Sequence, residues 1–291
     1  MTALAIGLAV FVGIALGLLG GGGSILTVPL LAYVAGMDAK AAIATSLLVV
    51  GVTSAIGAVS HARAGRVQWR TGLIFGAAGM AGAYAGGLLA RFIPGTVLLI
   101  GFALMMIATA VAMLRGRKNV APTEGTARLP VPKIIAEGLV VGLVTGLVGA
   151  GGGFLVVPAL ALLGGLPMPI AVGTSLIVIA MKSFAGLAGY LTSVTINWPL
   201  ALAVTAAAVA GALIGARLTS KIDPHALRKA FGWFVLAMSS VILAQEIHPA
   251  VGIAAAALTA VAGLLTLACT RYAHCPLRRL TGHTSAPAGT C

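Results

Sequence analysis

Acidic side chains are nearly missing: Asp and Glu number five in 291 residues, and none sits in the middle of an apolar run. Paired carboxylates for acid–base catalysis and a carboxylate cage for a hard cation both need what this chain lacks. Charge of either sign is scarce too, at 8% of residues against roughly 25% in a soluble domain, so water is not the main solvent of this protein. The three cysteines, Cys269, Cys275 and Cys291, lie at or beyond the end of the last apolar run, which excludes a disulfide framework through the body. Together with His274 and His283 they lack tight metal-ligand spacing and read as part of a polar tail, so neither metal nor cofactor is expected. No GxxxxGK[ST] segment is present, so no phosphate-cradling loop supplies nucleotide energy. No catalytic constellation emerges.

What the chain has is apolar length. Hydrophobic residues make up 60% of it. The runs Ala41–Val59, Gly72–Ala90, Val97–Leu114, Ile170–Leu191, Leu200–Leu218 and Val251–Cys269 approach or exceed the ~17–25 residues that span a bilayer as helix. Transmembrane barrels show short alternating segments instead, so the expected class is all-α and polytopic. The first run, Ala3–Leu19, lacks the basic n-region of a signal peptide, and a relative of it recurs in mid-chain. The net charge of +13 comes from Lys and Arg confined between apolar runs. That is the pattern of topology signals and lipid-headgroup contacts, and it predicts the lipid bilayer rather than nucleic acid as partner.

The chain repeats itself. At an offset of 129 positions, GLLGGGGSILTVPLL from Gly17 aligns without gaps on GLVGAGGGFLVVPAL from Gly146. In the same register Thr45-Ser46-Leu47 meets Thr174-Ser175-Leu176, Ser54 meets Ser183, Trp69 meets Trp198, and Gly82/Gly86 meet Gly211/Gly215. The expected organisation is a first transmembrane repeat over 1–114, a basic linker over 115–133, a second repeat over 134–245, an extra helix over 249–269 and a tail over 270–291.

Charge predicts how the segments cross. If all nine apolar segments crossed once, eight Lys/Arg would face one side and nine the other, with no positive-inside bias. If the segment over about 134–163 enters and leaves on one side, fifteen fall together, Lys40 and Arg91 remain opposite, and Lys182 is buried in a span. A helix of about 30 residues would measure roughly 45 Å, too long for one pass of a ~30 Å core. Each half is therefore expected to hold a glycine-broken re-entrant hairpin plus three transmembrane helices. Three is odd, so the repeats are expected to be inverted, with the N-terminus outside, the C-terminus cytoplasmic and the protein in the cell (inner) membrane.

Inverted repeats with helices broken in mid-membrane place substrate where the halves meet. The breaks here are Gly20-Gly21-Gly22-Gly23-Ser24 and Gly149-Ala150-Gly151-Gly152-Gly153. Glycine permits a turn with positive φ and leaves backbone N–H groups uncovered. A short helix after each break, ending its first turn near Pro29 or Pro158, would aim its positive N-terminal end at the midplane and favour an anion. Glycines also serve packing alone, the role expected of Gly13/Gly17, Gly142/Gly146, Gly82/Gly86 and Gly211/Gly215 at small-xxx-small spacing. Thr45, Ser46, Thr174 and Ser175 can donate to an oxyanion or bond back to their own helix. Lys182 is an ionisable group deep in an apolar segment, a candidate to neutralise an anion or carry a proton, or else a snorkelling side chain. Its repeat partner is Thr53. Trp69 and Trp198 mark interface positions.

The paired pattern G-xx-G-x-GG-x₅-P followed by ATSL or GTSL resembles the TauE/SafE family of membrane proteins, often called sulfite exporters. The resemblance runs in both halves to about residue 268. It implies a secondary transporter that exports sulfite or a related sulfur oxyanion or organosulfonate, and it points to Gly20–Pro29, Gly149–Pro158, Thr45-Ser46 and Thr174-Ser175. Ala150 and Ala44 depart from the other copy, which predicts unequal half-sites. Two alternatives stay open at this point: an uptake permease for another small anion, and a non-transporting membrane subunit that recruits a partner through its basic linker and tail. Oligomeric state is not readable.

Overall fold

The structure, a computed structural model, describes residues 2–19, 25–114, 131–149, 156, 160, 168–218, 224–247 and 253–257. The described residues form helices and short connections, with no strand among them. The helices are α1 (Thr2–Leu19), α2 (Thr27–Pro29), α3 (Ala39–Arg63), α4 (Trp69–Leu89), α5 (Gly95–Leu114), α6 (Val131–Val148), α7 (Met168–Tyr190), α8 (Trp198–Leu218) and α9 (Pro224–Glu246). A π-helical turn, Leu30–Val34, follows α2, and a 3₁₀ turn, Ala90–Phe92, follows α4. Among the described residues, four apolar helices are long enough to cross a bilayer: Ala39–Arg63, Trp69–Phe92, Ile170–Tyr190 and Trp198–Leu218. Shorter apolar stretches lie in α1, α5, α6 and α9. Of the expected extra helix, only residues 253–257 are described, and they are helical. Most of the linker and all of the tail lie outside the described residues.

Helix boundaries recur at the sequence offset of 129: α1 maps onto α6 and α4 onto α8 residue for residue, while α3 maps onto α7 and α5 onto α9 within a few residues. Packing repeats as well. The α1 helix lies on α8 and α6 lies on α4, a reciprocal exchange between halves, while α3 pairs with α7 and α5 with α9.

Small residues make the exchange possible. A Cβ on Gly13 or Gly17 would fall on the carbonyl oxygen of Ala208 or Ala212, and one on Gly211 or Gly215 on that of Val10 or Ile14. In the other copy, Gly142 and Gly146 lie under the carbonyls of Gly79 and Ala83, and Gly82 and Gly86 under those of Leu139 and Leu143. Between apolar helices in lipid, association comes from close van der Waals packing rather than from water exclusion, so backbone approach at these glycines holds the halves together.

The same contacts give helix directions. Residues 10 and 14 of α1 meet 211 and 215 of α8, and residues 13 and 17 meet 208 and 212, each pair in ascending order, so these helices are parallel, as are α4 and α6. Gly57 meets Leu176, Gly51 meets Phe184 and Gly186 meets Leu47, so α3 and α7 are antiparallel. Short connections make α4 antiparallel to α3 and α8 antiparallel to α7. It follows that α1 runs in the direction of α3, and α6 in the direction of α7. The chain leaves α1 at one end of the bundle and begins α3 at the other, and the same holds between α6 and α7.

Ends of the bundle differ in charge. Lys40 at the start of α3 donates through Nζ to the carbonyl of Arg91 at 3.1 Å, so the two cations that the charge count sets apart from the rest meet at one end. Arg63, Arg66 and Arg70 flank the α3–α4 turn at the other. Asp38 caps α3 by accepting from the Lys40 N–H at 3.1 Å. Trp69 and Trp198 begin α4 and α8, both exposed, at opposite ends.

A candidate anion site at the glycine break

The described part of the second break is the C-terminal end of α6. Gly149 has φ +74°, a left-handed conformation that stops the helix, and its N–H still donates to the Thr145 carbonyl at 2.9 Å. A helix end leaves its last carbonyls without partners. Here side chains from both halves meet them: Ser46 of α3 donates through Oγ to the Gly149 carbonyl at 2.8 Å, sharing its hydrogen with the Ile43 carbonyl at 2.8 Å, and Tyr190 of α7 donates through Oη to the Leu147 carbonyl. A Cβ on Gly149 would run into the Ile43 side chain. The break is thus clamped between the two repeats.

One turn earlier on α6 stands Thr145, fully buried, whose hydroxyl donates to the Val141 carbonyl at 2.7 Å. It accepts from the Lys182 amine at 3.2 Å. Lys182 is 1% exposed and is the one charged side chain among the buried described residues. It lies two residues from Phe184, whose ring packs on Gly51, the midpoint of α3. Gly149 meets the second turn of α3. The group at mid-depth is therefore Lys182, and the described glycine of the break sits nearer one end.

In the first half, the chain after the break continues as a 3₁₀ pair at 25–26, then α2, then the π-helical turn to Val34. Residues 25–31 are buried, and Tyr33 donates through Oη to Glu246 Oε1 at 3.0 Å, fastening this segment to the end of α9. The α2 helix packs on α3, which carries Thr45. The hydroxyls of Thr27, Thr45 and Ser183 are buried without a hydrogen-bond partner. Such groups are rare in a folded protein and leave donor capacity for a ligand.

The second Thr-Ser pair is at the far end of the bundle. Thr174 accepts from the Gln68 backbone N–H at 3.0 Å, and Ser175 donates back to the Val172 carbonyl at 2.8 Å. A Cβ on Gly173 would land on the Arg66 carbonyl, which accounts for glycine where the first copy has Ala44. Of the residues singled out in the sequence, the structure brings together Ser46, Gly149 and, one turn away, Lys182. It does not bring Thr174 and Ser175 to them. Of the four hydroxyls, Ser46 and Ser175 are spent on carbonyls, whereas Thr45 is open. Gly20, Gly21, Gly22, Gly23, Ser24, Gly151, Gly152 and Gly153 lie outside the described residues. The sequence did not single out Thr145, Tyr190, Thr27 or Ser183 as site candidates. The available signal was Thr145 itself, a hydroxyl one turn before the glycines where the first copy has Leu16.

Residues 5–242 match the family described as sulfite exporter TauE/SafE. The chain belongs to the TauE/SafE family. The match takes in both glycine segments and ends within α9. A probable membrane transporter protein of Xylella fastidiosa strain Temecula1 is 35% identical over 237 residues, covering 80% of this chain and 91% of that protein. A probable membrane transporter protein of Methanocaldococcus jannaschii is 30% identical over 240 residues, with 76% and 89% covered. YdhB of Bacillus subtilis, described in the same words, is 29% identical over 221 residues, with 75% and 90% covered. No solved structure matches. This TauE/SafE protein is a membrane transporter and not an enzyme.

Proposed function

We propose that this protein is a secondary transporter of a small anion, exporting sulfite or a related sulfur oxyanion or organosulfonate. The sign of the substrate rests on one observation: among the described residues the buried interior holds a lysine and unspent hydroxyls, and no carboxylate. A cation would find no carboxylate there, and an anion meets donors and a side chain able to carry the counter-charge. The family description supports the sulfur oxyanion.

The halves, 1–114 and 134–245, are read as inverted repeats, a reading supported by the antiparallel run of α3 and α7 at equivalent sequence positions. Each half is read as a chain that crosses, breaks at glycine and returns, a reading supported by the parallel directions of α1 and α3 and of α6 and α7. The anion uses the N–H groups of Gly20–Ser24 and Gly151–Gly153 together with the Thr45 hydroxyl, the Gly149 N–H being held by the Thr145 carbonyl, and it crosses as the halves move alternately. The N-terminus is outside, and the linker and C-terminus are cytoplasmic in the inner membrane.

The test is efflux of sulfite from proteoliposomes holding the purified protein, against a double variant Gly22→Leu/Gly151→Leu that still elutes as a folded species. Release by the wild type and at least tenfold less by the variant supports both substrate and site. If other anions leave and sulfite does not, the substrate is replaced. If nothing leaves, the transport reading of this chain fails.

A further inference from the structure

The Lys182 amine is short of partners. An ammonium carries three N–H donors, and the structure gives it one acceptor, Thr145 Oγ1. Thr145 has its own hydrogen directed at the Val141 carbonyl, with the Gly142 carbonyl at 3.1 Å, so it is fixed as an acceptor.

Among the described residues, the elements packed against α7 are α3, α4 and α6. Their titratable and charged groups are Lys40, His61 and Arg63 on α3, Arg70 and Tyr84 on α4, and Lys133 and Glu137 on α6; α7 itself adds Tyr190. Among the described side chains Lys182 forms no ion pair with any of them. Glu137, the one carboxylate on these helices, precedes Thr145 by eight residues, about 12 Å along α6. The neighbouring Ser183 hydroxyl, 1% exposed, also has no partner.

A buried ammonium without a counter-charge costs several kcal/mol. The structure leaves two ways to meet that cost: an anion arrives, or the proton departs. One turn away lies the Gly149 break, where the proposed substrate binds. We propose that Lys182 couples the substrate to a proton. Binding turns Lys182 from amine to ammonium by uptake of one proton, the anion serves as its counter-ion, and on the far side anion and proton leave together. The charge balance closes: an empty site with a neutral amine plus one proton and one monovalent anion gives an ammonium–anion pair, and release reverses it. A monovalent anion then crosses without net charge. Because binding linkage is reciprocal, acidification raises anion affinity by the factor by which the anion favours the ammonium. Thr145 acts as a positioning residue, holding the amine toward the break.

This inference rests on the anion reading above, and the experiment separates the two. Proteoliposomes are loaded with labelled methanesulfonate, which stays ionised at every working pH, and with a pH-sensitive dye. Every proton that moves with the label therefore belongs to the protein. Wild type is expected to alkalinise the lumen as the label leaves, at one proton per anion, and a potassium–valinomycin clamp is expected to leave the rate unchanged. Lys182→Met and the permanently charged Lys182→Arg are expected to lower protons moved per anion at least tenfold, whatever happens to the anion rate. If methanesulfonate is refused and sulfite moves, the same accounting is made with sulfite held well above its second ionisation. Anion movement by the wild type without proton movement overturns the coupling and leaves the transport reading standing, and so does undiminished proton coupling in both variants. Movement of neither anion removes the transport reading and the coupling with it. Should both variants fail to fold, the wild-type stoichiometry alone decides.

Discussion

Ser46 on α3 donates its hydroxyl to the carbonyl oxygen of Gly149, a residue 103 positions further along the chain and in the other repeat. The glycine break of one half is therefore finished by a side chain of its counterpart. Ser46→Ala leaves the buried Gly149 carbonyl without that partner, and the expected loss is about 1–3 kcal/mol of stability. Gly149→Ala is expected to cost more, because it adds strain at φ +74° to a clash with Ile43. Thermal unfolding of the detergent-solubilised variants ranks them. Equal midpoints for wild type and Ser46→Ala would remove the clamp.

The glycine stripes give a paired prediction. Gly82 and Gly211 are repeat equivalents, and both lie under a carbonyl of the helix they pack on. Gly82→Leu and Gly211→Leu are each expected to separate the halves and to destroy monodisperse elution. Gly101 has nothing within 4 Å of its Cβ position, so Gly101→Leu is expected to elute like the wild type. A tolerated leucine at position 82 or 211 would contradict the packing described.

Much of this architecture was legible in the residues, and the illegible part has a physical reason. The offset of 129 recurs in helix boundaries because apolar length and end signals are local properties of each copy. Small-xxx-small spacing identified contact faces because only Gly and Ala let backbones approach. Which helix those faces meet was not written locally: nothing in the Gly13 segment says that its partner is Ala208 of the other repeat. The site shows the same division. Lys182 stood out because an ionisable residue in an apolar run is costly. Thr145 did not, since helix hydroxyls ordinarily bond back to their own carbonyls, and this one does so while also accepting from the amine.

Tyr33 fastens the segment after the first break to α9 through Glu246. Tyr33→Phe removes the donor, whereas Glu246→Gln keeps an acceptor oxygen. Hydrogen exchange at the Ala35 and Met37 amides, which bond to Leu30 and Leu31, is expected to quicken several-fold in Tyr33→Phe and little in Glu246→Gln. Equal protection in Tyr33→Phe and wild type would make the bond incidental.

Orientation follows from which cations share an end. Lys40 and Arg91 meet at the start of α3. Antiparallel packing brings the turn after α7 to that same end, with Ser193 exposed on it. Arg63, Arg66 and Arg70 lie at the opposite end, where α8 also finishes with Arg217. Lys and Arg accumulate on the cytoplasmic side of a membrane protein, so the Arg-rich end is expected to face inward and the Ser193 turn outward. A single cysteine at position 193, in a background without the native cysteines, is expected to react with an impermeant maleimide in intact cells. One at position 123 in the linker is expected to react after lysis alone. The reverse pattern would turn the molecule over in the membrane and, with it, the direction of the proposed export; labelling of both positions in intact cells would mean that charge does not fix a single orientation for this protein.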